Sequence, residues 1–133
     1  MFIERLLNQG SAPLLEQMIQ FTAQRHKLIA EDIANVDTPG YRQKDLSVER
    51  FQQMLSQRAE LRRRLPPGQV RFDDIQAEVD HPARGILSHD GNNRSMEYLA
   101  SDLAKNAMMH NLAIELLRKQ YQTMEMALKE RVT

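Results

Sequence analysis

The chain has 133 residues, 18 Lys plus Arg against 18 Asp plus Glu, and neither Cys nor Trp. At roughly 100–200 residues per domain there is room for one domain at most. The absence of Cys excludes a disulfide scaffold, a thiolate zinc site and a cysteine nucleophile. A formal net charge of zero argues against a partner held mainly by phosphate neutralisation.

No apolar run reaches the roughly 18 residues of a membrane span. The start, MFIERLLNQGSAPLL, has no basic segment ahead of a continuous apolar stretch, so no secretory signal is expected. Hydrophobic residues are 41%, below the roughly 45–50% of ordinary domains. Aromatics are four Phe and three Tyr, against eight Met. The expected core is therefore thin, which raises the prospect that neighbouring chains complete it.

Gly and Pro punctuate the middle of the chain. None lies between Leu14 and Thr38, and none lies after Gly91. In the first breaker-free stretch, Leu14, Leu15, Met18, Phe21, Leu28, Ile29 and Ile33 recur at steps compatible with one helix face. The spacing predicts an amphipathic helix over Leu14–Val36, with Arg25 and Asp32 as polar interruptions near its apolar stripe. Pro13 suits the first turn, where its missing N–H has no helical partner to lose. Thr38-Pro39-Gly40 ends the helix, because the residue before proline is pushed out of the α region and glycine accepts positive φ.

Next, Ser47 to Leu65 reads as a shorter helix with Val48, Phe51, Met54, Leu55 and Leu61 apolar, stopped by Pro66-Pro67-Gly68. Val70, Phe72, Ile75, Ala77 and Val79 suggest one or two short strands or extended pieces. His81-Pro82 and His89 to Asn93 read as loops.

The last stretch carries the longest periodic signal. Met96, Ala100, Leu103, Ala107, His110, Ile114, Leu117, Tyr121, Met124 and Leu128 alternate steps of four and three. That is a heptad seam, with His110 its one polar member and Leu99, Ala113 and Leu116 widening the stripe. Glu115–Lys119 and Glu125–Lys129 are helix-stabilising pairs at four-residue spacing. Asn93 or Ser95 can cap the start. From Ser95 to Arg131 the rod would be about 55 Å long.

Paired antiparallel, the first helix is too short to cover this seam. A long a/d seam left in water is unfavourable, so both terminal helices are expected to pack between subunits. The expected fold is mainly α: long terminal amphipathic helices that form a coiled-coil bundle in an assembly, around a small middle. The divisions expected are 1–36, 37–93 and 94–133.

Candidate chemistry is sparse. Asp73, Asp74, Asp80, His81, His89 and Asp90 are metal-ligand types, but H-E-x-x-H and EF-hand spacings are missing, and we read them as solvated loop residues. His110 reads as a polar register device within the seam. Arg62-Arg63-Arg64 reads as a solvated helix end, where cations meet the dipole favourably. Ser88 beside His89 is an accidental neighbour, since nucleophilic sites are spatial constellations. No phosphate-binding loop of either common pattern occurs. No catalytic, metal-binding or cofactor-binding residue is assigned, and an enzyme is not expected.

Three segments resemble a family. Ala34-Asn35-Val36-Asp37-Thr38-Pro39-Gly40-Tyr41, following an amphipathic helix, is similar to the A-N-x-x-T-P-G-Y signature of bacterial flagellar axial proteins. The second segment is the seam-bearing C-terminal helix. The third is Asp90-Gly91-Asn92-Asn93 with Ala104-Lys105-Asn106-Ala107, which resembles the FlgB-type proximal rod proteins, as does the short length. In those relatives D-G-N-N is usually followed by Val-Asp, where this chain has Arg94-Ser95.

The resemblance implies a structural subunit of the flagellar basal-body rod, a helical shaft in the periplasm that transmits torque. It implies assembly through Leu14, Met18, Phe21, Leu28, Ile29 and Ile33 of the first helix. On the last helix it implies Met96, Leu103, Ala107, Ile114, Leu117, Tyr121, Met124 and Leu128. Asn35, Thr38, Pro39, Gly40 and Tyr41 would form a fixed hinge. The partners implied are further rod subunits (self and FlgC-, FlgF- and FlgG-type), the rod-base protein FliE, the MS-ring and the flagellar type III export apparatus. Nucleic acid and direct membrane insertion are not implied. The alternatives are another axial protein such as an FlgC-like rod subunit, or a helical adaptor or export chaperone.

Overall fold

The chain's structure is a computed structural model, which describes residues 10–66, 68–75, 77, 79–81 and 91–132; the side chains of 80, 91–95 and 132 lie outside the description. Among the described residues, three helices and one pair of short strands make the chain mainly α. They are α1 (Ala12–Ala34), β1 (Asp45–Leu46), α2 (Val48–Arg64), β2 (Val79–Asp80) and α3 (Gly91–Val132).

α1 starts two residues before the expected helix and stops two residues earlier, with Pro13 in its first turn. α2 follows its local signals closely. Ser47 is the N-cap and accepts from Arg50 N, Glu49 occupies the first turn, and Arg62, Arg63 and Arg64 occupy the last. α3 begins at Gly91 rather than at about residue 94, so Asn93 and Ser95 lie inside the helix instead of capping it. Gly and Asn are weak helix formers by about 1 kcal/mol or less each, and a 42-residue helix outweighs that preference at its entry.

α1 and α3 run antiparallel. Glu16 meets Tyr121, Thr22 meets His110 and Asn106, and Arg25 meets Asp102. The remaining elements pack on another side of α1. Phe21 of α1 stacks on Phe51 of α2 with ring centroids 4.0 Å apart and planes 10° from parallel. Leu46, Leu55 and Phe72 complete that core, with Leu14, Met18 and Leu28 of α1 packed against it. α1 is thus buried on two sides, and among the described residues the core of the middle is built on α1.

Among the described residues of the expected strand pieces, Val79 pairs as part of Val79–Asp80, and its partner is Asp45–Leu46, where no strand was expected. Val70, Ile75 and Ala77 instead pack on the core from irregular backbone. A two-residue ladder carries no readable alternation, and its pairing spans more than thirty residues of chain.

Candidate assembly site

The expected hinge forms a closed turn anchored to the last turns of α1. Asn35 is the C-cap of α1 at φ −109°, ψ 14°, outside the left-handed region. Its Nδ2 donates to Glu31 O (2.8 Å), and its Oδ1 accepts from Thr38 Oγ1 (3.2 Å). Backbone bonds from Thr38 N to Asn35 O and from Tyr41 N to Thr38 O continue the turn. Gly40 has φ +76°, and a Cβ built there would meet nothing within 4 Å. Its requirement is therefore conformational rather than steric.

The turn is held by a residue that the apolar pattern marks only as an interruption. Asp32 is 1% exposed, and its Oδ1 accepts from both Tyr41 Oη (3.1 Å) and Lys44 N (2.9 Å). Burial pushes the Asp32 carboxyl above the usual carboxylate range, against the two hydrogen bonds that favour its charged form. The same burial and the Asp32 hydrogen bond raise the Tyr41 phenol.

Two turns earlier on the same side of α1, Arg25 makes a two-pronged pair with Asp45 of β1 (2.8 and 3.1 Å) and reaches Asp102 of α3 at 3.9 Å. Burial opposes the Arg25 charge, but these acids outweigh it and raise its pKa. Arg25 and Asp32 sit seven residues apart. That spacing, on the edge of an apolar face, is the signal in the sequence that could have marked them as anchors.

The α1–α3 contact also turns out differently from the apolar reading. The deepest row on α3 is Leu99 (5% exposed), Asn106 (3%) and Ala113 (0%), spaced by sevens, beside half-buried Leu103, His110, Leu117 and Met124. The second row expected in the seam falls beside it: Ala107 and Ile114 are half-buried, while Ala100, Tyr121 and Leu128 are exposed, as is Met96. The deep row is missed by apolar counting because its centre is polar. Asn106 Nδ2 donates to Thr22 O at 2.8 Å, which makes an amide acceptable there.

His110 lies in the same layer, with Nδ1 2.7 Å from Thr22 Oγ1. Thr22 Oγ1 is also 2.8 Å from Met18 O. With the hydroxyl proton on that carbonyl, His110 Nδ1–H is the donor between them. On α1, Phe21 and Ile29 are buried and Leu14, Met18, Leu28 and Ile33 are half-buried.

The remaining candidates are placed as follows. Asp73 pairs with Arg71 and Asp74 with Arg58, and each arginine's hydrogen bond holds its carboxyl below the usual range. His81 Nδ1 lies 3.2 Å from Gln43 O. Ser88, His89 and Asp90 lie outside the described residues, as do the side chains of Asp80, Asn92 and Asn93.

Among the described residues, no three His, Asp or Glu side chains gather as a metal site, and no helix is long and apolar enough to cross a membrane. The Arg62 guanidinium sits 5.5 Å from the Phe72 ring centroid rather than out in solvent, while Arg63 pairs with Glu60. Glu125–Lys129 forms as expected, whereas Glu115 pairs with Arg118, three residues on, instead of Lys119.

No protein-family model matches the chain. It is 26% identical over 126 residues to a curated protein of Bacillus subtilis (strain 168), the flagellar basal body rod protein FlgB. The alignment covers 92% of this chain and 95% of that protein. The resemblance carried by three segments is therefore matched by similarity along almost the whole length of both chains.

Proposed function

Proceeding from that similarity, we propose that this chain is a structural subunit of the bacterial flagellar basal-body rod, in the proximal, FlgB-like position. The observation that carries the reading is the near end-to-end alignment with a rod protein of the same length class. The division into regions 1–36, 37–93 and 94–133 follows that role. The two terminal helices make the shaft and the middle braces α1, with the C-terminal region entered at Gly91.

The physics of the fold supports the reading. α3 is about 60 Å long and α1 about 35 Å, so the helix pair is a stiff lever with one end extending beyond the other. Open helical arrays grow from head-to-tail contacts that do not close. Zero net charge lets many copies sit close together without strong self-repulsion. In the assembled shaft the subunit meets copies of itself and FlgC-, FlgF- and FlgG-type rod subunits. FliE and the MS-ring lie at its base, after passage through the flagellar type III export apparatus. Its role is to transmit torque across the periplasm, not to catalyse a reaction.

The test is an in-frame deletion in the source bacterium, complemented in trans. The expected outcome is loss of swimming in soft agar and loss of rods beyond the basal ring in isolated basal bodies, both restored by the full chain. Intact hook–basal bodies in the deletion strain would overturn the assignment. No observation favours a helical adaptor or an export chaperone.

A further inference from the structure

A cavity of about 480 Å³ opens where the first turns of α1, the last turn of α2 and the 68–73 stretch meet, with Tyr121 of α3 at its edge. That volume is in the range of small-molecule sites. Pro13, Val70 and Phe72 supply apolar wall, and Glu16, Gln17, Arg62, Arg71 and Asp73 supply polar wall.

Two of the polar groups are buried without partners. Gln17 is 7% exposed, and its side-chain amide makes no hydrogen bond among the described residues. Arg62 Nη1 is buried and has no hydrogen-bond partner either. The Phe72 ring holds the Arg62 guanidinium from one face, and Arg62 forms no ion pair among the described residues. Buried polar groups are normally paired, and an unpaired charged donor is the costliest exception. Here a charged donor and an amide, both unpaired, line one cavity.

The other charges on the wall are engaged. Arg71 holds Asp73 through two bonds of 3.0 and 2.7 Å, and Glu16 accepts from the Tyr121 hydroxyl at 2.7 Å. The start of α1 adds positive potential beside Pro13. Its N-cap Ser11 makes no side-chain capping bond, and no acid stands in its first turn to offset the helix dipole.

That set selects a chemical class. A guanidinium and an amide N–H offer separate donors to the two oxygens of a carboxylate. One negative charge balances Arg62, whereas Glu16 and Asp73 on the same wall disfavour a doubly charged group such as phosphate. The Val70 and Phe72 wall suits an apolar body behind the carboxylate.

We propose that this cavity binds a carboxylate borne on a short apolar body, with Arg62 and Gln17 holding its oxygens. The carboxylate comes from outside the chain, as a free small acid or as a side chain of another protein. The site stands apart from the rod reading, because it is built from the cavity's own unpaired groups and not from helix packing between subunits.

Titration of the full-length, ¹⁵N-labelled chain with phenylacetate tests it. The expected result is a saturable shift of the Gln17 side-chain amide and Arg62 Nε–H signals, absent with neutral phenylacetamide and with inorganic phosphate at equal ionic strength. Arg62→Gln is expected to weaken binding about tenfold or more, the worth of a charge-assisted bond. Gln17→Met keeps the shape of the side chain and removes its amide. It is expected to fold as well as the parent and to bind about two- to tenfold more weakly, which keeps the test open if Arg62→Gln does not fold. Arg64→Gln, outside the cavity, is expected to bind like the parent.

A blocked peptide, acetyl-Ala-Phe-Glu-Ala-amide, is titrated in parallel. Tighter binding of phenylacetate assigns a free acid as the source, and tighter binding of the peptide assigns a protein side chain. No saturable shift with either probe, an equal response to phenylacetamide, or tighter binding of phosphate overturns the proposal. So does an affinity unchanged by both Arg62→Gln and Gln17→Met, or lowered as much by Arg64→Gln. Binding that appears only in Glu4→Gln also overturns it, by giving the cavity to the one acid among residues 1–9.

Discussion

Replacing Asp32 separates a hydrogen-bonding anchor from a charged one. In Asp32→Ala, Lys44 N–H and the Tyr41 hydroxyl lose their shared acceptor, Oδ1. A bond to a charged group contributes about 1.5–3 kcal/mol, and a donor left unpaired in the interior costs about 1–3 kcal/mol. Tyr41 is half-exposed and can turn its hydroxyl to water, so the two losses do not add in full. The expected destabilisation is about 2–3 kcal/mol, with faster tryptic cleavage after Arg42 and Lys44 as the turn loosens.

In Asp32→Asn, the amide Oδ1 can accept both bonds, though each becomes neutral and weaker. In exchange, the cost of holding an ionised carboxylate away from water disappears. These opposing changes leave the Asn variant within about 1 kcal/mol of the parent at neutral pH.

The pH dependence follows from the raised Asp32 pKa. Between the ordinary carboxylate value near about 4 and that raised value, the folded chain binds more protons than the unfolded one. Its stability therefore falls as pH rises through this window and is level above it. Asp32→Asn lacks that fall, so its stability relative to the parent improves across the same window. Urea unfolding followed by far-UV circular dichroism at several pH values measures all three. An Ala variant as stable as the parent would refute the anchor, and an Asn variant as unstable as the Ala variant would refute the acceptor argument.

Phe21→Ala should cost about 3–5 kcal/mol, as for other buried Phe truncations, with hydrogen-exchange protection lost first in α2 and in β1 with its partner β2. Equal loss along α3 would contradict the two-sided burial of α1. Asn106→Leu is expected to keep stability within about 1.5 kcal/mol, because hydrocarbon replaces a buried amide. It should also broaden the α1–α3 register, as removal of buried polar seam residues does. Trapping of Arg25→Cys with Asp102→Cys against Arg25→Cys with Met109→Cys reads that register, and unchanged native-only trapping counts against the role given to Asn106. Gly40→Val should cost about 1–2 kcal/mol or more through its left-handed φ, whereas Gly40→Asn should be tolerated better. Wild-type rod assembly by Gly40→Val in the complementation assay would remove the turn from the assembly argument.

Helix positions were legible where local chemistry decides them. Pro13 and Thr38-Pro39-Gly40 bracket α1, and Ser47 and Pro66 bracket α2, because caps and breakers act within a few residues. The mainly α class followed from two long breaker-free stretches. The whole-length similarity to a rod protein agrees with a resemblance drawn from Asn35–Tyr41, Asp90–Asn93 and the last helix.

What the tertiary structure decided are the places where a polar group is buried against the apolar pattern. Asp32 lies within the apolar stripe because Tyr41 and Lys44, nine and twelve residues away, turn back to meet it. Asn106 is at the centre of the deepest α3 row because the Thr22 carbonyl, 84 residues earlier, receives its amide. Periodicity scores each residue by its own transfer free energy, whereas the cost of burying an amide or carboxylate depends on a partner that only folding supplies. Composition predicts a thin core, and the tertiary structure decides which side of α1 it covers. The few aromatics, Phe21, Phe51 and Phe72, are spent on one side of α1, which leaves a groove between α2 and α3 open beside them.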